Sequence, residues 1–157
     1  MADFTEPQAP FGIVSGPWDA KQIGDFLSDS VIPIRLATAG EWPMVQSMWF
    51  RYEAGRLWCA TQRNSVLVAR LGRNPRCGFE VAADQPPYRG VRGYGSARIA
   101  AEDGQQTLLN LLDRYLGQEN QGLRQWLLQR ADDEVAVVLE DLAVSTWDFS
   151  GRMSPQQ

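Results

Sequence analysis

The stretch Pro43–Ser65, PMVQSMWFRYEAGRLWCATQRNS, decides the fold. Its first run, Pro43 to Tyr52, alternates Met44, Gln46, Met48 and Phe50 against Val45, Ser47, Trp49 and Arg51. Bulky groups on both faces predict a strand buried on both sides or lying at an interface. Glu53-Ala54-Gly55-Arg56 supplies a tight turn, and Arg56 to Thr61 returns as the second arm of an antiparallel hairpin. Gln62-Arg63-Asn64-Ser65 then opens a helix from Val66 to about Gly72, with Asn64 or Ser65 as its cap and Asn74-Pro75 as its end.

Upstream of the hairpin, residues 1–14 carry Pro and Gly breaks and read as an N-terminal arm that docks on something else. Ser15-Gly16-Pro17 reads as a helix start, with Trp18, Ile23, Phe26 and Leu27 on one face. Val31 to Thr38 is a short β-rich run. Downstream, Arg76 to Ala83 is a strand, Asp84 to Arg89 a loop stiffened by Pro86-Pro87, and Gly90 to Ala100 a long strand. Asp103, with Gln106 at the capping-box spacing, starts a helix through Leu116. A second helix covers about Asn120 to Arg130, with Leu123, Trp126 and Leu127 at helical spacing. Glu134 to Glu140 and Leu142 to Phe149 read as two strands joined by a minimal turn near Asp141. The expectation is one α+β, β-dominated domain over 15–153, with at least six mostly hairpin-connected strands, compatible with a barrel, and helices between or beside them, and a tail at 154–157.

Composition narrows the chemistry. Among 157 residues there is no histidine, which excludes a Ser-His-Asp triad, an imidazole general base, and His-ligated zinc or haem. Lys21 is the sole lysine, so Schiff-base chemistry has one candidate, on what reads as a surface helix. Cys59 and Cys77 lie in apolar contexts without CxxC spacing and read as buried free thiols in a reducing compartment, with no metal role. No segment reads as a signal peptide or membrane span, which predicts a cytoplasmic protein. The formal charge of -4 hides a segregation. Nine arginines and three acids fall within 51–98, a candidate anion site in an otherwise acidic chain, while the acidic flanks argue against nucleic acid.

Five strings then stand in order. They are Trp49 to Trp58, Thr61 to Ser65, Leu71 to Arg76, Pro87-Tyr88-Arg89-Gly90-Val91-Arg92-Gly93-Tyr94-Gly95, and Trp147-Asp148-Phe149-Ser150-Gly151-Arg152-Met153. Together they resemble the split β-barrel flavin-binding family that includes pyridoxamine 5'-phosphate oxidase. The resemblance implies a six- to seven-stranded antiparallel split β-barrel with flanking helices, in a homodimer holding FMN, or a deazaflavin cofactor, in two equivalent grooves between subunits, and redox chemistry on a small-molecule substrate. It places Gln46, Ser47, Met48 and Trp49 along the flavin ring, and Thr61, Gln62, Arg63, Asn64 and Ser65 at the ribityl phosphate. It makes Trp147 and Arg152 the candidates that close the groove from the partner chain, and it assigns no catalytic residue.

The sequence departs from the oxidase at its phosphate-binding cations, where it has Val45, Phe50, Val66 and Leu67. That argues against pyridoxamine phosphate oxidation itself. It leaves Arg63, or another Arg of 51–98, as the replacement, with a non-catalytic flavin- or nucleotide-binding dimer as the alternative.

Overall fold

A computed structural model of the chain describes residues 9–153. The strands among them are β1 (Gly12–Ser15), β2 (Ile34–Thr38), β3 (Met44–Met48), β4 (Arg51–Glu53), β5 (Arg56–Gln62), β6 (Arg76–Ala82), β7 (Arg89–Ala100) and β8 (Glu134–Asp148). The helices are α1 (Ala20–Asp29), α2 (Val66–Arg73), α3 (Gly104–Tyr115), α4 (Gln121–Leu128) and the short α5 (Ser150–Met153).

The hairpin forms where the turn chemistry puts it. Ala54 and Gly55 both have positive φ, 49° and 78°, and Glu53 pairs with Arg56, as a two-residue turn of the mirror-image type requires. Seven strands run in the order β3-β2-β6-β7-β8-β5-β4, each antiparallel to its neighbour, and β1 joins β8 in parallel. The two ends of this path, β3 and β4, are consecutive in the chain and separated only by Trp49 and Phe50. The sheet therefore curls until its edges meet at a covalent link without a ladder between them. This is the α+β split barrel that the family resemblance implies.

Ile34, Leu36, Phe50, Leu57, Cys59, Val81, Val91, Val137 and Leu139 fill the interior and are fully buried. At roughly 1.5–3 kcal/mol per large aliphatic or aromatic side chain, this cluster is the main stabilising element. Helix α3 lies against the other face of β5 and β8, burying Leu108, Leu111 and Leu112.

Several elements differ from the sequence reading. Gly12–Ser15 leaves the expected arm to pair with Gly12↔Ala143 and Ile13↔Val144 on β8; residues 1–8 and the tail 154–157 lie outside the described residues. Helix α1 starts after Asp19, whose carboxylate accepts the Gln22 N–H at 2.8 Å while the Gln22 side chain accepts the Asp19 N–H at 3.0 Å. That reciprocal capping box overrides the Pro17 signal. Asp103, in contrast, makes no side-chain cap bond, because its own backbone is already helical (φ −95°, ψ 0°).

The stretch Pro43–Tyr52 is not one strand, and β3 is not covered on both sides. It is an edge strand whose Val45 is 65% exposed. The final two strands are one. Between Tyr94↔Ala143 and Ser96↔Glu140 two residues of β8 face the single Gly95, and Asp141 takes φ 52° in this bulge. Val135, Val137 and Leu139 point into the core before it, and Leu142 and Val144 after it. The apolar pattern shifts by one residue there, which imitates a turn in sequence but is a bulge in space.

Candidate functional site

A cleft of about 560 Å³ opens beside the split, within the size range of small-molecule and cofactor sites. Three groups of residues build it. Ser47, Met48 and Trp49 enter as the chain leaves β3; Ala60, Thr61 and Gln62 enter from the end of β5; Leu108, Leu111, Leu123, Trp126 and Leu127 come from α3 and α4. Helix α4 buries none of its residues, so its apolar face is a cleft wall rather than a piece of core.

Trp49 is held by its neighbour across the split. Its indole stacks on the Tyr115 ring with centroids 5.0 Å apart and planes 8° from parallel. The Tyr115 hydroxyl donates to the Ile32 carbonyl at 2.8 Å and accepts the Phe50 N–H at 3.2 Å. A side chain from α3 thus satisfies backbone groups that no strand reaches where the barrel opens, and a buried N–H left unpaired would be costly.

The polar end of the cleft is formed by Thr61, Gln62, Arg130 and Glu134. The Gln62 amide donates to the Glu134 carboxylate and, at 3.3 Å, to the Arg130 carbonyl. Glu134 is only 7% exposed, and burial pushes its carboxyl above the usual carboxylate range, against the opposing effects of the Gln62 hydrogen bond and the Arg130 charge. The Arg130 guanidinium lies 4.9 Å from the Trp126 ring centroid and makes no ion pair among the described residues. Gln62 and Arg130 also line a second, adjoining cavity of about 370 Å³ with Arg63, Asn64 and Asp133.

The structure thus brings together Ser47, Met48, Trp49, Thr61 and Gln62 in one cleft, and Gln62, Arg63 and Asn64 in the next. Gln46 lines neither; its amide contacts the Met48 sulfur at 3.4 Å. The Ser65 hydroxyl is occupied as the α2 cap, accepting the Val68 N–H at 3.2 Å. The Arg63 N–H is likewise engaged with the Asp133 carbonyl. Trp147 and Arg152 are absent from both cavities of their own chain: Trp147 packs over Gly90 beneath the Arg92 guanidinium, and Arg152 lies by Phe149. Arg89 lines a different cavity with Trp18 and Asp148.

The Arg-rich stretch does not converge on one anion site. Arg51 pairs with Glu53, and Arg56 and Arg98 share Glu140. Arg70 donates to the Ala39 and Trp42 carbonyls of a turn. The four positions that lack the oxidase's cations are also apart: Val45 and Val66 are exposed, whereas Phe50 and Leu67 are in the core. Sequence reasoning passed over Tyr115, Arg130 and Glu134. The first was one apolar helix position among several, and the other two lie about 70 residues from Gln62 with no local motif to mark them.

No protein-family model matches the chain, and no curated protein matches it. Solved structures do. Conserved hypothetical protein Rv2991 of Mycobacterium tuberculosis superposes with a TM-score of 0.73 at 25% identity, over 90% of this chain and 91% of that one. An F420 reductase superposes with a TM-score of 0.63 at 23% identity, over 77% and 94%. A Listeria innocua protein, provisionally described as a pyridoxamine 5'-phosphate oxidase, gives 0.58 at 15% identity, over 76% and 90%. These likenesses show one fold, the split barrel. Among the described residues no helix is long and apolar enough to cross a membrane.

Proposed function

We propose that this split barrel is a flavin-dependent oxidoreductase that holds FMN in the cleft beside Trp49 and acts on a small molecule. One observation carries the reading. The residues expected along a flavin ring, Ser47 to Trp49, and those expected near its phosphate, Thr61 and Gln62, line one cavity although they leave opposite ends of the sheet.

A flavin supplies hydride or electron transfer when bound, and a protein lacking histidine needs only to bind and orient it. Met48, Trp49 and the apolar wall from α3 and α4 offer a dry face for a planar ring. Thr61, Gln62 and Arg130 offer donors for its polar chain.

The partner in this reading is a second copy of the chain. The outer sheet face presents Arg35, Val45, Glu80, Arg92, Tyr94 and Ser145 around a shallow hollow, with Tyr94 and Val45 largely exposed. Trp147 neighbours this face through Arg92, which makes the face the candidate dimer surface in this reading. The buried free thiols Cys59 and Cys77 support a cytoplasmic location.

A deazaflavin with a longer anionic chain is the second reading, favoured by the adjoining cavity with Arg63 and Arg130. The test is the visible spectrum of natively purified protein, then titration with FMN and with the deazaflavin. Quenching and spectral perturbation by FMN at micromolar concentration are expected. No perturbation by FMN with saturable binding of the deazaflavin transfers the reading to the second cofactor, and no response to either overturns both.

A further inference from the structure

We propose that Arg130 is the cation of the anion-binding subsite in this cleft, and that Glu134 makes the subsite proton-linked, so that a phosphate monoester binds together with a proton. The inference rests on the flavin reading for the identity of the ligand, and on the following geometry for the rest.

Arg130 is shared by the two cavities, and its guanidinium lies over the Trp126 ring with no carboxylate of the described residues within ion-pair distance. A guanidinium offers five donors in a planar fork, and one that makes no ion pair among the described residues has them available for a phosphate. Arg63, the candidate from sequence, reaches only the outer cavity, whereas Arg130 lines both.

The Gln62 amide donates both to the Glu134 carboxylate and to the Arg130 backbone carbonyl, and Glu134 lines the main cleft with the Arg130 side chain. The surroundings of Glu134 hold few compensating charges. Arg130 acts on it directly; Asp132 of the turn before β8 is tied to Gln105 of α3 at 3.0 Å; Asp133 faces the outer cavity; Asp103 precedes the Gly104 backbone that packs on the Glu134 carbonyl. Among the residues lining the main cleft Glu134 is the sole carboxylate, and none is His, Cys, Lys or Tyr. Any charge-compensating proton taken up by the cleft lining therefore goes to Glu134.

The sign follows from like-charge repulsion. A phosphate drawn to Arg130 both adds negative charge near Glu134 and competes for the cation that offsets it, so each raises the proton affinity of the carboxyl. By linkage, binding takes up protons, and affinity falls as pH rises through the titration of Glu134. The phosphate's own second ionisation is common to every variant and cancels in the comparison.

The experiment is FMN titration of wild type, Glu134→Gln and Arg130→Met between pH 5.5 and 8.5, with two-buffer calorimetry to count protons. Thermal melts without ligand confirm that each variant is folded. Arg130→Met keeps the apolar stem over Trp126 and is expected to weaken FMN about tenfold or more, which is about 1.4 kcal/mol. Wild-type affinity is expected to fall at least about fivefold further across the range than that of Glu134→Gln, with proton uptake lost in the variant. Unchanged affinity in Arg130→Met, or parallel pH curves for wild type and Glu134→Gln, overturns the inference while leaving the flavin reading intact. If wild type binds no FMN, the flavin reading fails and inorganic phosphate becomes the probe. A melting-temperature rise with phosphate at pH 5.5 in wild type but not in Arg130→Met then supports the subsite, and no rise overturns it.

Discussion

The indole of Trp49 and the phenol of Tyr115 stack face to face, 5.0 Å between centroids, where β3 gives way to β4. The same tyrosine bonds the Ile32 carbonyl and the Phe50 N–H. One residue of α3 thus holds both the ring that faces the cleft and the backbone on which it sits. Tyr115→Phe keeps the stack and removes the hydroxyl. Leaving those buried groups unpaired is expected to cost about 1–3 kcal/mol, or a drop of about 2–4 °C in Tm per kcal/mol. FMN affinity, if the cleft holds FMN, falls with it. Unchanged Tm and affinity would show that water replaces the hydroxyl.

Glu134 carries a pH signature in the ligand-free protein as well. Burial raises its folded carboxyl above the unfolded value, so the folded state binds the proton more tightly. Its contribution to stability is present in full below the unfolded value and is lost as pH rises through the folded one. Glu134→Gln is therefore expected to melt higher than wild type at pH 8, with the difference shrinking toward pH 4. Melting curves that differ by the same amount at both pH values would contradict this.

Gly104 has no room for a side chain. A Cβ there would press on the backbone carbonyl of Glu134, where α3 meets the first residue of β8. Gly104→Ala is expected to destabilise the fold by about 1–3 kcal/mol through overpacking, outweighing the helix propensity that alanine adds. It would also displace Glu134. Denaturant unfolding measures the first effect, and an unchanged midpoint would mean that α3 shifts without cost.

Cys59 and Cys77 are both free and buried. Burial pushes the Cys77 thiol up to about 11, and the Cys59 thiol higher still. Neither forms appreciable thiolate near neutral pH, and the thiolate is the reactive species. A thiol reagent at pH 8 is expected to label neither in the native protein and both after unfolding. Rapid native labelling would show that β5 or β6 opens locally.

Much of the fold was legible because strand and turn signals are local. The hairpin at Ala54-Gly55 reads from two residues, and the α2 cap at Ser65 from its position before an apolar helix. The bulge at Asp141 was not legible, since a one-residue shift of apolar parity reads the same whether the chain turns or kinks. For the candidate site, the resemblance named Ser47 to Trp49 and Thr61 to Asn64, and the structure puts them on the walls of two adjoining cavities. Arg63 lies within the matched string, whereas Arg130, outside 51–98, carries no local mark in the sequence.

The sequence by itself determined the β-dominated elements, the hairpin and the exclusion of imidazole chemistry, because composition and short-range periodicity fix these before any chain contact forms. Tertiary structure alone decided that Trp49 meets Tyr115 and that Gln62 meets Glu134 across 72 residues. It also turned the apolar face of α4 into a cleft wall. Periodicity states which face of an element is apolar, whereas the curl of the sheet and its open seam set which faces meet and which polar groups share a cavity.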